Sequence, residues 1–193
     1  KILYIFIALV ALFALVGCDT ALHTPAATGG RSVTTVTIFH PTEAYLHGWG
    51  EGFGTDWPGV EMKEVWYIVI DSPFGGCKFS EPESGNLDGI GAPGVYLYDG
   101  DAGWKKIADA SKVIVMSDTE FESFYTWEAE ELGGWLGSTN VKHAFYATFE
   151  GALDGTIFTD GVDTKLYGED NLPGVSGGVW TFDTDSKKYV EVN

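Results

Sequence analysis

The chain's clearest pattern is an alternation. In Tyr45-Leu46-His47-Gly48-Trp49, three rings are separated by Leu46 and Gly48. A period of two predicts a strand with one face of rings and one plain face. A glycine-rich turn, Gly48 to Gly54, follows and leads into Trp57-Pro58-Gly59. Pro58 sets its own φ and biases Trp57 towards extended backbone, while Gly59 is free to take a positive φ. Strand and turn together predict a row of flat rings at the rim of a sheet. Short runs rich in Val, Ile, Tyr, Phe, Trp and Thr recur further along, as in Val33 to Phe39, Trp66 to Asp71, Gly94 to Tyr98 and Trp104 to Ile107. Each is bounded by Gly, Asp, Asn or Pro. From Val33 onward no stretch carries a convincing helical stripe, so the pattern predicts antiparallel β-sandwich structure.

The pattern also repeats. Tyr45-Leu46-His47-Gly48-Trp49 aligns with Ser123-Phe124-Tyr125-Thr126-Trp127, and Trp57-Pro58-Gly59 aligns with Trp135-Leu136-Gly137 at the same offset of 78. Further on, Trp66-Tyr67 meets Phe145-Tyr146, and Phe79 meets Phe158. After a longer polar loop in the second copy, Asn86 to Gly89 meets Asn171 to Gly174, Val95 to Asp99 meets Val179 to Asp183, and Trp104 meets Tyr189. A period of about 80 residues suits a small domain better than a solenoid unit. The expectation is an all-β body of two tandem, immunoglobulin-like antiparallel β-sandwich modules, 33–108 and 109–193.

The first residues differ in kind. Lys1 is followed by an uncharged apolar run that ends in Leu15-Val16-Gly17-Cys18. A charged start, a short apolar core and a small residue before cysteine read as a secretory signal helix over 1–17. The last four residues resemble the bacterial lipobox, which implies a lipid on Cys18 and an exported protein anchored to a bacterial membrane, at the cell surface or facing the periplasm. Residues 18–32, with small residues, Pro and paired Gly, read as a tether. With Cys18 committed to lipid, Cys77 has no partner for a disulfide and reads as a small buried hydrophobe.

Charge narrows the partners. Eleven basic against 28 acidic residues give a net −17, which disfavours nucleic acid and anionic lipid as partners of the body. Catalysis finds little support: no phosphate loop, nucleophile elbow or paired-cysteine motif appears, and His23, His40, His47 and His143 lack metal-ligand spacing. Neither an enzyme activity, a cofactor nor a metal is expected. Asp99-Gly100-Asp101 and Asp183-Thr184-Asp185 read as hairpin turns rather than calcium loops.

The aromatics carry more information. If Leu46 and Phe124 point inward, Tyr45, His47 and Trp49 point out together, and so do Ser123, Tyr125 and Trp127. Trp66, Phe79 and Phe158 lie in apolar runs and are assigned to cores. Val36 to Phe39, Tyr45 to Trp49 and Trp57-Pro58-Gly59-Val60-Glu61-Met62 resemble the starch-binding carbohydrate-binding modules of families 25 and 26. Those modules are non-catalytic β-sandwiches that bind α-glucans, often in tandem. By position, the resemblance implies Tyr45, His47 and Trp57 as ligand-stacking residues, with Phe53 on the turn. In the second copy Ser123, Leu136 and Asn140 replace Tyr45, Pro58 and Met62, so its platform reduces to Tyr125 and Trp135.

The reading is therefore a lipoprotein, anchored through Cys18, that binds α-glucan polysaccharide or maltooligosaccharide by aromatic stacking. The alternative is a structural or adhesive envelope lipoprotein whose β modules bind a protein.

Overall fold

The computed structural model describes residues 35–80, 83–100, 102–127 and 140–192. Cys18, the signal and tether segments, and Trp135 lie outside the described residues. Residues 33–193 form one compact unit, and its described part contains strands and no helix. The first copy supplies β1 (Thr35–His40), β2 (Tyr45–Gly50), β3 (Phe53–Gly54), β4 (Val60–Glu61), β5 (Lys63–Ile70), β6 (Phe74–Ser80), β7 (Leu87–Ile90), β8 (Gly94–Asp99) and β9 (Gly103–Ala108). The second supplies β10 (Val113–Ser117), β11 (Ser123–Trp127), β12 (Lys142–Glu150), β13 (Leu153–Thr159), β14 (Leu172–Val175), β15 (Gly178–Asp183) and β16 (Lys188–Glu191).

The repeat is visible in the pairing, but the strands do not sort by copy. One eight-stranded sheet runs β16-β15-β1-β12-β5-β10-β8-β9, beside a three-stranded sheet β11-β6-β7 and a five-stranded sheet β14-β13-β2-β3, to which β4 adds by pairing with β2. β1 lies antiparallel to β12 and parallel to β15, and β2 lies antiparallel to β13. In the equivalent places, β10 pairs with β5 and β8, and β11 pairs with β6. The first two strands of each copy thus complete the sandwich built by the later strands of the other. A boundary at 108/109 separates equivalent sequences, but it does not separate these sandwiches.

The two copies meet at β5 and β12. Val65 pairs with Ala144, its own equivalent in the repeat, with Tyr67 opposite Lys142 and Tyr146 opposite Lys63 on either side. A pseudo-twofold axis therefore passes through the Val65–Ala144 pair.

Alternation along the strands then sorts the side chains into three cores. On one face of the large sheet, Val36 and Ile38 of β1 and Phe149 of β12 pack with Leu46 of β2 and Phe158 of β13. On the same face beyond the axis, Ile68 of β5 and Val115 of β10 pack with Phe79 of β6 and Phe124 of β11. The other face carries Phe39, Val65, Tyr67, Val95, Ile114, Met116, Tyr146 and Val179, all buried. No further described strand covers that face, so the sheet buries it against itself by rolling about the β5–β12 pair. Phe39 and Tyr67 show the curvature: they lie two strands apart yet stack at 4.2 Å and 9°. The halves meet where the Asp109 N–H, just past β9, donates to Thr35 Oγ1 on β1 at 3.2 Å.

Among the buried residues, Cys77 and His40 are titratable groups enclosed by the cores. Cys77 is fully buried as expected, and burial pushes its thiol up to about 12. His40 is also fully buried, against the rings of Phe158, Tyr167 and Phe182. Its Nδ1–H donates to the Thr42 carbonyl at 2.6 Å, and the Tyr167 hydroxyl at 2.6 Å donates to Nε2. Both ring nitrogens are satisfied by the neutral form, and burial lowers the pKa from 6.5. Trp66, assigned to a core on sequence, is only partly buried at the seam, with its ring 4.9 Å from His143.

Two predictions follow from the packing. Because the unfolded chain protonates His40 before the folded chain does, this residue's contribution is present above pH 6.5 and lost as pH falls below it. Urea melts at pH 7.5 and 5.5 should show lower stability at the acid end, and His40→Phe should flatten that difference. The second prediction concerns separated halves. Chains 33–108 and 109–193 should each fail to form a folded monomer and should recover native circular dichroism as a 1:1 complex when mixed. Two folded monomers on gel filtration would contradict the exchanged pairing.

Candidate functional site

The outward row on β2 forms as its alternation predicts. Leu46 and Gly48 are buried, while Tyr45, His47 and Trp49 are half-buried on the opposite face. Their cross-strand neighbours come from the second copy: Thr159 opposite Tyr45, Ile157 opposite His47, and Gly155 opposite Trp49. The glycine matters most. A Cβ at Gly155 would sit 2.2 Å from Trp49 Cζ2 and 2.7 Å from Cε2, so the indole lies across the bare backbone of β13. At the other end of the row, the Tyr45 ring lies on Gly161 in the second copy's longer loop. That loop is held by Asp160, whose carboxylate accepts the N–H groups of Val162, Asp163 and Thr164 at 2.9, 3.0 and 3.0 Å. These bonds hold its pKa down at about 2.

The segment after β2 folds back along the same strand. Phe53 and Gly54 pair with Gly50 and Trp49, and Val60 and Glu61 pair with Leu46 and Tyr45. Between them, Thr55 N–H donates to the Gly48 carbonyl at 3.0 Å, and Gly48 N–H donates to Thr55 Oγ1 at 3.1 Å. This zipper sets Trp57-Pro58-Gly59 beside His47. Gly59 has φ +118°, and a Cβ there would fall 2.5 Å from His47 N and Leu46 C, so only glycine permits the approach. The Trp57–Pro58 bond is cis, and the Pro58 carbonyl accepts the Thr159 hydroxyl at 2.9 Å. The second copy therefore anchors the turn as well as the row.

His47 ends up between two indoles. Its centroid is 5.5 Å from Trp49 at 41° and 5.5 Å from Trp57 at 69°. Trp57 is 42% exposed, high for so large a ring. His47 Nδ1 lies 3.0 Å from Thr55 Oγ1, which already accepts the Gly48 N–H. The same hydroxyl also lies 3.5 Å from the Gly48 carbonyl, and the other ring nitrogen, Nε2, can donate to or accept from a ligand hydroxyl according to the tautomer. The arrangement offers stacking faces and hydrogen-bonding groups side by side.

Of the residues singled out on sequence, Tyr45, His47 and Trp57 come together on this face. Phe53 is placed otherwise: its ring is partly buried against the first core and lies outside the row. Trp49 was visible in the outward row, but the resemblance did not select it. The signal that selects it is the glycine across from it, which requires the strand register. In the other half, Tyr125 lies opposite Lys78 and Trp127 opposite Gly76, and a Cβ at Gly76 would fall 2.3 Å from two Trp127 ring atoms. Trp135 lies outside the described residues.

The acidic turns take no part in this site. Asp183 accepts the N–H groups of Asp185 and Ser186 and the Ser186 hydroxyl, which lowers its pKa and caps the β15–β16 turn. Among the described residues, no group of three His, Cys, Asp or Glu side chains is placed to hold a metal ion. No protein-family model, curated protein or solved structure matches the chain.

Gly155→Ala tests the seat of Trp49 directly. The added methyl should evict the indole and change the near-ultraviolet circular dichroism, while the far-ultraviolet strand signal persists. An unchanged aromatic signal would mean that Trp49 does not lie across Gly155.

Proposed function

We propose that this chain is a membrane-anchored lipoprotein that holds α-glucan through the ring face of β2, without a catalytic step. The observation that carries the reading is the outward grouping of Trp57, His47 and Trp49, with Tyr45 in line. From Tyr45 to Trp49 the row extends about 13 Å at ~3.3 Å per residue, enough for more than one sugar ring. Tyr and Trp faces stack on the apolar faces of glucose units, and His47 Nε2 donates to or accepts from a hydroxyl. A neutral polymer needs no countercharge, so a chain of net −17 meets no penalty in binding it. The likeness of Tyr45 to Met62 to starch-binding modules selects α-glucan among neutral polymers. Anchoring through Cys18 would keep the bound glucan at the bacterial membrane.

The second reading, an adhesive envelope lipoprotein, draws on the seam. There Trp66 and Phe145 are half-exposed beside the His143–Glu64 pair, which is 2.8 Å apart. Retardation of residues 33–193 in gels containing soluble starch discriminates between the two, since only the glucan reading requires it.

Substitutions then locate the site. Removing one stacked ring should cost about 1–3 kcal/mol, by analogy with base–aromatic stacking and interface hot spots. Trp57→Ala should weaken maltooligosaccharide binding about tenfold or more, since roughly 1.4 kcal/mol is one decade. Its melting temperature should hold, because the ring is exposed. Trp135→Ala should weaken binding less, since the second copy's platform is the smaller one. Parent-like titration curves for both variants would remove the stacking idea.

A further inference from the structure

We infer that this protein joins two separate polysaccharide chains, because it carries two ring-stacking faces that point away from each other. The inference rests on the glucan reading above and extends it. The second face lies on the three-stranded sheet. There Tyr125 and Trp127 are half-buried on the outer side of β11, while Phe124 and Thr126 between them are buried. Trp127 lies across Gly76 of β6 as Trp49 lies across Gly155 of β13, so each half seats one indole on a neighbouring strand's bare backbone. Lys78, opposite Tyr125, has its ammonium 5.9 Å from that ring's centroid and 2.9 Å from Glu83. With that carboxylate balancing it, the second face also suits a neutral ligand.

The direction of the two faces follows from the layering. The five-stranded and three-stranded sheets cover the same face of the large sheet, one on each side of the β5–β12 axis. The large sheet rolls about that axis until its other face is buried against itself. The order across the molecule is therefore outer sheet, half-sheet, half-sheet, outer sheet. Among the described residues, the rows on β2 and β11 lie on the two outer sheets, on the sides turned away from the large sheet. A short oligosaccharide cannot span them, and a polymer lying on one face leaves the other to a second polymer. Two sites in this geometry favour bridging between chains over a clamp on one chain.

The test uses residues 33–193, which form one compact unit containing all three cores. Calorimetric titration with maltoheptaose should give two sites per chain. Mixing with long soluble starch should raise light scattering, with a maximum at an intermediate ratio and reversal by excess maltoheptaose. Trp57→Ala on one face, and Tyr125→Ala or Trp127→Ala on the other, should each reduce the site count to one and abolish the scattering. Using two substitutions on the second face guards against one that simply unfolds, which circular dichroism would reveal. One site in the parent with no scattering overturns the bridging inference and leaves the glucan reading standing. Scattering that survives loss of either face also overturns it, because the network would then come from association between protein chains. No binding to maltoheptaose or starch at all overturns the glucan reading and this inference with it.

Discussion

The pairing of β2 with β13 bears more of this structure than any other contact, because it joins the two copies and builds the ring face in one step. β13 gives β2 its ladder of hydrogen bonds, and Gly155 leaves the gap that Trp49 fills. Thr159, at the end of β13, holds the Pro58 carbonyl and so the turn that presents Trp57. The same exchange closes the first core, where Leu46 and Phe158 are both fully or almost fully buried. Stability and site are thus coupled through one strand pair. Because β1 and β2 find their partners about a hundred residues away, the native pairing is strongly non-local, which makes folding slow in general.

The two halves differ where the site requires it. The second copy's longer loop brings Gly161 under Tyr45 and Tyr167 onto His40, and both contacts serve the half that contains β2. Opposite Ser80 the other half has Ser123 in place of Tyr45, and its Tyr125 faces Lys78 where His47 faces Ile157. The insertion therefore supports the fuller row, although it belongs to the other copy in sequence. Pseudo-symmetry sets the scaffold, and these few changes set the chemistry of each face.

Much of the local structure was legible from the chain alone. The alternation at Tyr45–Trp49 and at Ser123–Trp127 predicts which side chains turn outward, and both strands keep it. Trp57-Pro58-Gly59 reads as a turn, and Gly59 does take the positive φ that only glycine accommodates there. The repeat is legible because equivalent residues occupy equivalent pairs, as with Leu46–Phe158 and Phe124–Phe79. What the chain does not show is which copy supplies the partner. A period of two defines the faces of a strand, whereas neighbours depend on long-range pairing. For the same reason Gly155 and Gly76 look like ordinary strand glycines until the register sets an indole on each. Phe53 is implied only by its position on the glycine-rich turn in the resemblance, and β3 folds back on β2 and carries it against the first core. Trp66 looked like core because its run is apolar, yet its strand lies at the seam where the outer sheets part.

The most direct test of the central claim, that glucan binds on the β2 face, is a titration of the indole N–H resonances with maltoheptaose by heteronuclear NMR. Trp49 and Trp57 should shift on binding. Trp104 and Trp180 should not, because their indole N–H groups are tied to the carbonyls of Asp88 and Gly177 at 2.8 and 2.9 Å and lie outside the row. Shifts confined to Trp66 at the seam, or no shifts at saturating sugar, would contradict the account.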